Sequence, residues 1–457
     1  MRPSSTSAPA SRADGSPAAG GAGAVPGAPG LPRLRATTNR APAETATLEP
    51  GLDLVAHLRQ HGRPRFRGAA LLDKVQTAGL TGRGGAAFPV ATKLAAVAAA
   101  SGNAVAVANG AEGEPASSKD AAVLWFSPHL VLDGLQLAAD VVGADTAYVY
   151  VHAGSDTRGG PDLPWHLRAA LAQREAAGID RVPVELVEAP PRFLAGEETA
   201  LVSRINGDAA RPTDKQYRPF QRGVGGRPTL VQNVETLAHL ALIARHGATW
   251  FRSVGTRDEP GSMLCTVRES DGHVRVLEAA LGAPLSFLLK LGDDVQAVLV
   301  GGYHGGWLSL TDARRLALCN AELRPAGTIV GAGVVIALPA AHCGLAETAS
   351  VARSLALESA GQCGPCFNGL PAIAAALAEL ARPRPAGPAL ANLQRWAGLV
   401  AGRGACHHPD GTVRFVASAL RAFAAEIAEH ARGRCTAARS GLFLPVTAPA
   451  VTESDWR

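Results

Sequence analysis

The sequence predicts an α/β fold that begins with a parallel sheet, continues into a small β-rich module and ends in a helical bundle. Between about residues 65 and 250, short apolar strands alternate with helices of roughly 10–15 residues, as in parallel sheets with right-handed crossovers. Residues 255–340 change to a ββαβ order, and beyond them apolar residues recur at helical spacing. Each of the three patterns predicts one domain.

The first pattern predicts a Rossmann-like domain. Its strands are Ala104–Ala108, Ala147–Val151 and Val182–Val187, and its clearest helices are His129–Val142 and Trp165–Ala177, the second ended by Gly178. Ligands of such sheets bind where the carboxyl ends of the strands meet their loops. The loop after Ala108 is therefore a predicted binding site.

The second pattern predicts a β-grasp module. The strands Met263–Arg268 and His273–Leu277 flank a Ser-Asp-Gly turn, which favours a hairpin. The helix Pro284–Leu291 and the strand Val295–Val300 complete the ββαβ order. The third pattern is helical, and its two apolar faces consist of Leu370, Ile373, Leu377 and Leu380, and of Val416, Leu420, Phe423 and Ile427.

Both ends of the chain are predicted to lie outside the folded domains. Residues 1–30 contain 24 Ala, Gly, Pro or Ser, a composition that buries too little apolar area to offset the entropy of ordering. The predicted division is a disordered tail over 1–45, the α/β domain over 46–250, the β-grasp domain over 251–340, the helical domain over 341–435 and a loose tail over 436–457.

Composition and charge exclude several classes of protein. The 44 Lys and Arg against 39 Asp and Glu leave a net charge of only +5, which argues against a nucleic-acid-binding protein. Seven sparse cysteines argue against a secreted disulfide scaffold and favour a reducing compartment. There is no run of 18 apolar residues and no signal-peptide pattern, so we predict a cytoplasmic protein without direct membrane insertion.

Two stretches combine glycines with charged residues. In the first, Gly82-Arg83-Gly84-Gly85 precedes Phe88 and Lys93, so backbone N–H groups and a cation could surround an anion, although a surface turn before a helix would look the same. The second, Asn109–Pro115, follows a predicted strand. Its carboxylates Glu112 and Glu114 could bind ribose hydroxyls or a flavin ring, or could simply form a solvated acidic loop.

Two further stretches are equally consistent with helix starts. In Gly196-Glu197-Glu198-Thr199, the acids would favour the positive end of a helix dipole. In Pro228–Leu237, Asn233 and Thr236 are spaced as in a helix cap. Considered singly, capping explains both stretches.

The fifth stretch contains Cys363-Gly-Pro-Cys366, with Cys406 forty residues later. Two thiolates at this spacing can share a metal, a cluster or a disulfide. An iron–sulfur site is favoured, while a thioredoxin-type disulfide, a zinc site that includes His407 and His408, and inert buried cysteines remain alternatives.

Together and in this order, the five stretches resemble the NADH-binding flavoprotein subunit of respiratory complex I and the related diaphorase subunits of hydrogenases and formate dehydrogenases. The resemblance covers about residues 65–430 and identifies the β-grasp module as a soluble-ligand-binding (SLBB) domain. The Asn109–Pro115 stretch is also similar to the C subunit of Rnf-type ferredoxin oxidoreductases.

The resemblance implies a role for each stretch. FMN would be surrounded by one set of residues, namely Gly82, Arg83, Gly84, Gly85, Phe88, Lys93, Asn109, Glu112, Gly196, Glu197, Glu198, Asn233 and Thr236. Glu114 would hold the NADH end of the site, and Glu198 would lie near the adenosine ribose and disfavour NADPH. Phe88 and Phe220 would sandwich the adenine. Cys363, Cys366 and Cys406 would ligate a [4Fe–4S] cluster.

The implied activity is hydride transfer from NADH to FMN, followed by single-electron transfer through the cluster to a ferredoxin-like or thioredoxin-fold iron–sulfur partner, with a membrane cytochrome as a possible downstream acceptor. The protein would supply orientation and electrostatics, so no side chain need be catalytic in the strict sense. The alternatives are a non-catalytic or assembly paralogue that has lost the cluster, and a Cys-Gly-Pro-Cys thiol–disulfide oxidoreductase.

The chain departs from the family pattern at several positions. Ala360 stands where the family has its first cluster cysteine, which leaves three thiolates of four. Ser359, His407, Cys343 or a partner's cysteine could substitute, and a three-iron cluster or loss of the cluster are the other options. Around the flavin and adenine, Ala111, Phe193, Gln232 and Ala96 also differ from the residues of complex I.

Overall fold

The computed structural model describes residues 31–34, 49–51, 53–100, 102–153, 162–214, 216–446 and 452–457. Most of the tail predicted over 1–45 lies outside these ranges. Its described part differs from the prediction, because Leu34 is fully buried and the backbone N–H groups of Arg33 and Leu34 donate to the Glu278 carboxylate at 2.6 and 2.8 Å. The domain limits given above remain predictions.

The first sheet has four parallel strands in the order β3-β2-β1-β4. They are β1 (Ala104–Asn109), β2 (Ala144–His152), β3 (Val184–Ala189) and β4 (Thr229–Asn233). β4 was missed by the sequence prediction, which treated its residues only as a capping motif. Because β2 and β3 lie on one side of β1 and β4 on the other, the strand order reverses between β1 and β4. A ligand crevice opens at such a point, beyond the carboxyl ends of the strands.

Eight helices of the described residues accompany this sheet. They are α1 (Leu54–His61), α2 (Gly68–Ala78), α3 (Val90–Ala98), α4 (Lys119–Phe126), α5 (Pro128–Val142), α6 (Leu163–Ala176), α7 (Glu198–Ile205) and α8 (Val234–Phe251). The two predicted helices are present with ends shifted by one or two residues. A large apolar core that includes α5 and α8 covers one face of the sheet, and a smaller core that includes Leu201 of α7 covers the other.

The second sheet has the order β6-β5-β9-β7-β8. Its strands are β5 (Ser262–Arg268), β6 (Val274–Ala280), β7 (Val295–Val300), β8 (Gly306–Ser309) and β9 (Val334–Pro339), with short helices α9 (Leu285–Leu288), α10 (Leu310–Arg315) and α11 (Asn320–Leu323). β5 and β9 are parallel and the other pairs antiparallel, which is a β-grasp arrangement. The helix predicted over Pro284–Leu291 ends early, because Leu289 is extended and the Lys290 N–H donates to Glu269 at 3.0 Å.

The C-terminal domain is helical, as predicted. Its helices are α12 (Gly344–Leu357), α13 (Leu370–Leu380), α14 (Ala389–Val400), α15 (His408–Ala422) and α16 (Ala424–Ala431). The face predicted from Leu370 to Leu380 is buried, whereas the second predicted face is divided by a break at Phe423. The tail predicted beyond 435 is not wholly loose, because Leu444 and Trp456 are buried.

No single helix among the described residues is long and apolar enough to cross a membrane. α4 and α5 meet that length and composition only as a pair, and they are bent by 96° at their junction.

Candidate functional site

The glycine loop between α2 and α3 touches the start of α8. The N–H of Gly82 donates to the Phe88 carbonyl at 2.9 Å and closes the loop, while the N–H of Arg83 donates to Thr236 Oγ1 at 2.8 Å. A Cβ on Gly84 would lie only 3.2 Å from the Cβ of Asn233. The first and fourth stretches of the sequence therefore meet.

The Arg83 side chain points into the protein and joins this loop to the β-grasp domain. Its guanidinium donates to the Ser262 carbonyl at 3.0 Å and to Thr81 Oγ1 at 2.8 Å. Burial lowers the pKa of this guanidinium. The side chain thus positions the loop, whereas the resemblance predicts that Arg83 surrounds FMN.

An ion pair links α3, the helix that follows the glycine loop, to the third stretch, Gly196–Thr199. Lys93 Nζ lies 2.9 Å from Glu198 Oε2, and the two side chains are 24% and 29% exposed. The preceding Glu197 caps α7 by accepting from the N–H groups of Thr199 and Ala200 at 2.8 and 3.2 Å. Lys93 and Glu198 consequently face the solvent-accessible side of the site, and Glu197 supports the helix behind them.

The second stretch is anchored at both ends. Asn109, the last residue of β1, donates from Nδ2 to the Gly196 carbonyl at 2.8 Å. The Glu112 carboxylate accepts from the N–H groups of Lys119, Asp120 and Ala121 at 3.0–3.3 Å, which caps α4 and satisfies its positive end.

Glu114 fastens the same stretch to the β-grasp domain. Its carboxylate accepts from the Tyr303 N–H at 2.7 Å and from the Ala116 N–H at 3.2 Å. Gly302 is required beside it, because a Cβ there would lie 2.5 Å from Glu114 Oε2. Glu114 is 9% exposed, so in this conformation it contacts the protein, and its role at the NADH end of the site remains a prediction.

Asn233 has two functions in the fold. Its Oδ1 accepts from the N–H groups of Glu235 and Thr236 and caps α8, as the capping interpretation predicts. Its Nδ2 donates to Asp120 Oδ2 at 2.8 Å. Asn233 therefore connects the start of α8 with the start of α4.

A buried charge cluster behind the site was not predicted from the sequence. Lys119 Nζ lies 2.7 Å from Asp120 and 2.9 Å from Glu235. Burial raises the pKa of Asp120 to about 7 although Lys119 opposes it. At Glu235 burial also raises the pKa, but Lys119, His239 and Arg83 together outweigh it and hold the pKa at about 2. No local sequence signal pairs residues 119 and 235, because the contact depends on the adjacency of α4 and α8.

Gln232 presents an unsatisfied donor beside these residues. It lies in β4 opposite Ala108 of β1, and its buried Nε2 has no hydrogen-bond partner among the residues that the structure describes. A buried donor left unpaired costs about 1–3 kcal/mol, so the position fits an acceptor on a bound ligand. From the sequence, Gln232 is only a departure from the family pattern and is not among the predicted site residues.

The two predicted adenine-binding rings differ in exposure. Phe88 is 53% exposed at the end of the glycine loop, and Phe220 packs half-buried against the core of the first domain. In the described part of the chain the two rings are not in contact with each other. A planar ligand between them remains a prediction.

Three cysteine thiols and one hydroxyl converge between α12 and α15. Cys363, Cys406 and Ser359 lie close enough to Cys366 to affect the pKa of its thiol, which burial raises above the usual range. Cys366 and Cys406 are buried and Cys363 is half-buried. This donor set fits an iron–sulfur cluster, which thiolates hold and which tolerates one oxygen ligand in place of sulfur.

The structure separates the candidates for the fourth ligand. Ser359 lies beside Cys366 and lowers the pKa of its thiol, against the larger effect of burial. The His407 side chain is 82% exposed and pairs with Asp410, and Cys343 lies 3.7 Å from His430 in a different group. Among the side chains of this chain, Ser359 is therefore the substitute that the contacts favour.

A buried ion pair connects the two halves of the site. Arg192 Nη2 lies 2.6 Å from Glu358 Oε2, and the N–H of Phe193 donates to the same oxygen at 3.1 Å. Arg192 and Phe193 precede Gly196, while Glu358 precedes Ser359. The loop beside the α/β crevice is thereby fixed to the turn that carries the cysteines.

Comparison with known proteins agrees with this arrangement. Residues 75–242 match the Nuo51 FMN-binding domain, and residues 343–430 match the iron–sulfur binding region of NADH-ubiquinone oxidoreductase F. The second F-type subunit of NADH-quinone oxidoreductase in Rhizobium meliloti (strain 1021) is 28% identical over 384 residues, which cover 80% of this chain and 89% of that protein. The corresponding F-type protein of Rickettsia typhi is 29% identical over 65% of this chain and 74% of its own length.

A solved structure shows the same fold. A chain of the NAD⁺-reducing [NiFe]-hydrogenase in the H₂-reduced state matches with a TM-score of 0.72 and 28% identity over 86% of this chain. The match spans 66% of that hydrogenase chain. The ordered motifs, the domain order and the two matched regions lead to one conclusion: this chain contains a Nuo51-type FMN-binding domain and the iron–sulfur binding region of NADH-ubiquinone oxidoreductase F.

Proposed function

We propose that this protein is an FMN-dependent NADH:acceptor oxidoreductase subunit that delivers electrons to an iron–sulfur partner. The observation that supports it most strongly is the convergence of four separate stretches at the crevice between β1 and β4. Arg83 reaches Thr236, Lys93 reaches Glu198, and Asn109 reaches Gly196. None of these contacts follows from capping alone.

FMN would lie along the glycine loop. Lys93 would neutralise the phosphate, backbone N–H groups of the loop would approach it closely because Gly84 and Gly85 lack a Cβ, and the free Nε2 of Gln232 would donate to a flavin or phosphate oxygen. The bound flavin supplies a group that accepts a hydride and releases electrons singly. The protein contributes orientation, because the capped starts of α4, α7 and α8 fix the loops around it.

NADH would enter from the side of Lys93 and Glu198. A carboxylate there accepts hydrogen bonds from ribose hydroxyls and repels a 2′-phosphate, which favours NADH over NADPH. Phe88, exposed at the mouth of the crevice, and Phe220 would bind the adenine ring.

Cys363, Cys366 and Cys406, with Ser359 as the fourth ligand, would hold an iron–sulfur cluster, which would supply one-electron transfer. The ion pair between Arg192 and Glu358 would keep the cysteine turn at a fixed position relative to the loop beside the flavin site. The acceptor would be a ferredoxin-like or thioredoxin-fold iron–sulfur subunit, with a membrane cytochrome further downstream. All seven cysteines are free, which supports a reducing compartment such as the cytoplasm.

The test is an anaerobic absorption spectrum of the FMN-loaded full chain before and after NADH. Bleaching of the flavin bands by NADH, to the extent reached with dithionite, is the expected result. Flavin bands that respond to dithionite and not to NADH would overturn the proposal and favour the non-catalytic paralogue, which the substitution of cysteine by Ala360 makes the second candidate.

The thiol–disulfide alternative receives less support. Cys363 and Cys366 lie between helices α12 and α13, whereas the thioredoxin motif lies near a βαβ unit. Disulfide exchange that is lost in Cys363→Ser would favour this alternative.

A further inference from the structure

A second group of ligand-type side chains lies in the helical domain, apart from the three cluster cysteines. Cys343 precedes α12, Glu426 and His430 lie one turn apart on α16, and Cys435 follows that helix. One ligand atom of each residue lies within 4.8 Å of those of the other three. We call these four residues the Cys343 group.

The spacing within the Cys343 group is close to that of a tetrahedral metal site. Cys343 Sγ lies 3.7 Å from His430 Nε2. Zinc–sulfur and zinc–nitrogen bonds of about 2.3 and 2.05 Å at a tetrahedral angle place the two atoms about 3.5 Å apart. His430 Nε2 and Glu426 Oε1 are 2.9 Å apart, so they would have to separate by about 0.5 Å to share the ion.

His430 is already oriented as a ligand. Its Nδ1 lies 3.2 Å from the Leu380 carbonyl oxygen, which can only accept, so Nδ1 carries the proton and Nε2 faces the group with its lone pair. Metal-binding histidines are usually held in this way through their other nitrogen. The ring is fully buried, which fixes this orientation.

Glu426 is oriented by Thr436. The Thr436 N–H donates to Oε1 at 3.0 Å and its hydroxyl donates to Oε2. The carboxylate oxygen and the Nε2 lone pair, both acceptors, therefore face each other in a buried position. Two acceptors in this position need a cation between them. A proton would meet this need without involving the thiols of Cys343 and Cys435, and a metal ion would meet it by binding those thiols as well.

We propose that Cys343, Glu426, His430 and Cys435 form a structural site for a zinc-type divalent cation. Two thiolates, an imidazole and a carboxylate complete a tetrahedral shell with no open position, which is typical of structural zinc. Each thiol releases its proton on binding, so a bound Zn²⁺ leaves the site with one net negative charge. Cys435 is exposed and provides the path of entry. The site ties the start of α12 to the end of α16.

The test is a titration of the reduced full chain with Co²⁺, whose absorption reports tetrahedral thiolate coordination. The background is Cys363→Ser/Cys366→Ser, which removes two thiols of the other cysteine site. We expect one equivalent to bind with thiolate charge-transfer bands. Cys435→Ser in the same background should weaken binding about 100-fold or more and remove part of that absorption. Because Cys435 is exposed, this variant should keep its fold, which its unchanged thermal unfolding without metal would verify.

The matched control is Cys319→Ser, a cysteine of the β-grasp domain outside the group, which should bind Co²⁺ like the background. Metal analysis of the protein as isolated should find one zinc per chain that survives Cys363→Ser. Absence of thiolate bands in the reduced protein, or equal binding by Cys435→Ser, would overturn the proposal. A Cys343–Cys435 disulfide in the isolated protein together with no metal uptake after reduction would also overturn it.

Discussion

Asn109 and Asn233 are register partners at the carboxyl ends of the parallel strands β1 and β4. Asn109 holds the Gly196 carbonyl, and Asn233 caps α8 and binds Asp120. Two short amide side chains at the point where the strand order reverses thus fix the loops on both sides of the crevice. This relationship explains how motifs more than 120 residues apart form one site.

Lys93 is predicted to bind the phosphate of FMN. Replacing it with Met removes a charge-assisted contact worth about 1.5–3 kcal/mol, so FMN affinity should fall about 10- to 100-fold. Riboflavin, which lacks the phosphate, should bind equally to both proteins. The measurement is quenching of flavin fluorescence in titrations of the flavin-free chain.

Lys74→Met, on the neighbouring helix α2, is the matched control and should bind both flavins normally. If Lys93→Met weakens FMN and riboflavin by the same factor, Lys93 supports the loop and does not contact the phosphate. Equal FMN affinity in Lys93→Met and the parent protein would remove Lys93 from the site.

Glu198 is predicted to discriminate against NADPH. Glu198→Gln removes the negative charge that a 2′-phosphate would meet, so the ratio of kcat/KM for NADH to that for NADPH should fall about tenfold, or about 1.4 kcal/mol. Glu185→Gln, an exposed acid on β3, should leave the ratio unchanged. A ratio in Glu198→Gln equal to that of the parent would contradict this role.

Local patterns predicted the fold well where a segment had a clear period. Val295–Val300 is a strand over its whole predicted range, and His129–Val142 differs from α5 by one residue. Three strands, β4, β8 and β9, were not predicted. β4 and β8 are too short to show alternation, and the six residues of β9 form an apolar run without alternation. The helix after Pro284 was predicted too long, since the bond from Lys290 to Glu269 that ends it is a tertiary contact.

The candidate site was only partly predictable for the same reason. The resemblance predicts that Gly82–Lys93, Asn109, Glu198 and Asn233 lie around one ligand. The contacts of these stretches agree with that arrangement, and their binding of FMN and NADH remains a prediction. The sequence does not show that the Arg83 guanidinium turns toward Ser262, because that direction depends on the packing of β5 against the loop. The Cys343 group and the pair Lys119–Glu235 involve residues 87 and 116 positions apart with no shared motif.

His166 is predicted to make stability depend on pH. It is fully buried against Trp125, and burial lowers its pKa to about 4. Its contribution to stability is therefore complete above about pH 6.5, the unfolded pKa, and is lost as pH falls toward 4, by on the order of 3 kcal/mol. His166→Leu should flatten the change in the free energy of unfolding between pH 7.5 and 5, measured with urea. His273→Leu, at an exposed position, should keep the parent's profile, and a parental profile in His166→Leu would refute the assignment.

Ser359 is predicted to supply the fourth ligand of the iron–sulfur cluster, where Ala360 cannot. Removing the hydroxyl in Ser359→Ala leaves three thiolates, so the iron content should fall from four to about three per chain, with the EPR signal of an oxidised three-iron cluster. Ser359→Cys should retain four irons. Iron analysis and EPR of the anaerobically reconstituted full chain measure both, independently of NADH oxidation.

Ser350→Ala, on α12 before the cysteine turn, is the control and should retain the parental iron content. Four irons and an unchanged spectrum in Ser359→Ala would place the fourth ligand outside this hydroxyl, and a cysteine of the partner subunit would then be the remaining source. Because the cysteine turn is fixed through Glu358 and Arg192, flavin content should be the same in all three variants, so a change in iron reports on the ligand and not on the α/β domain.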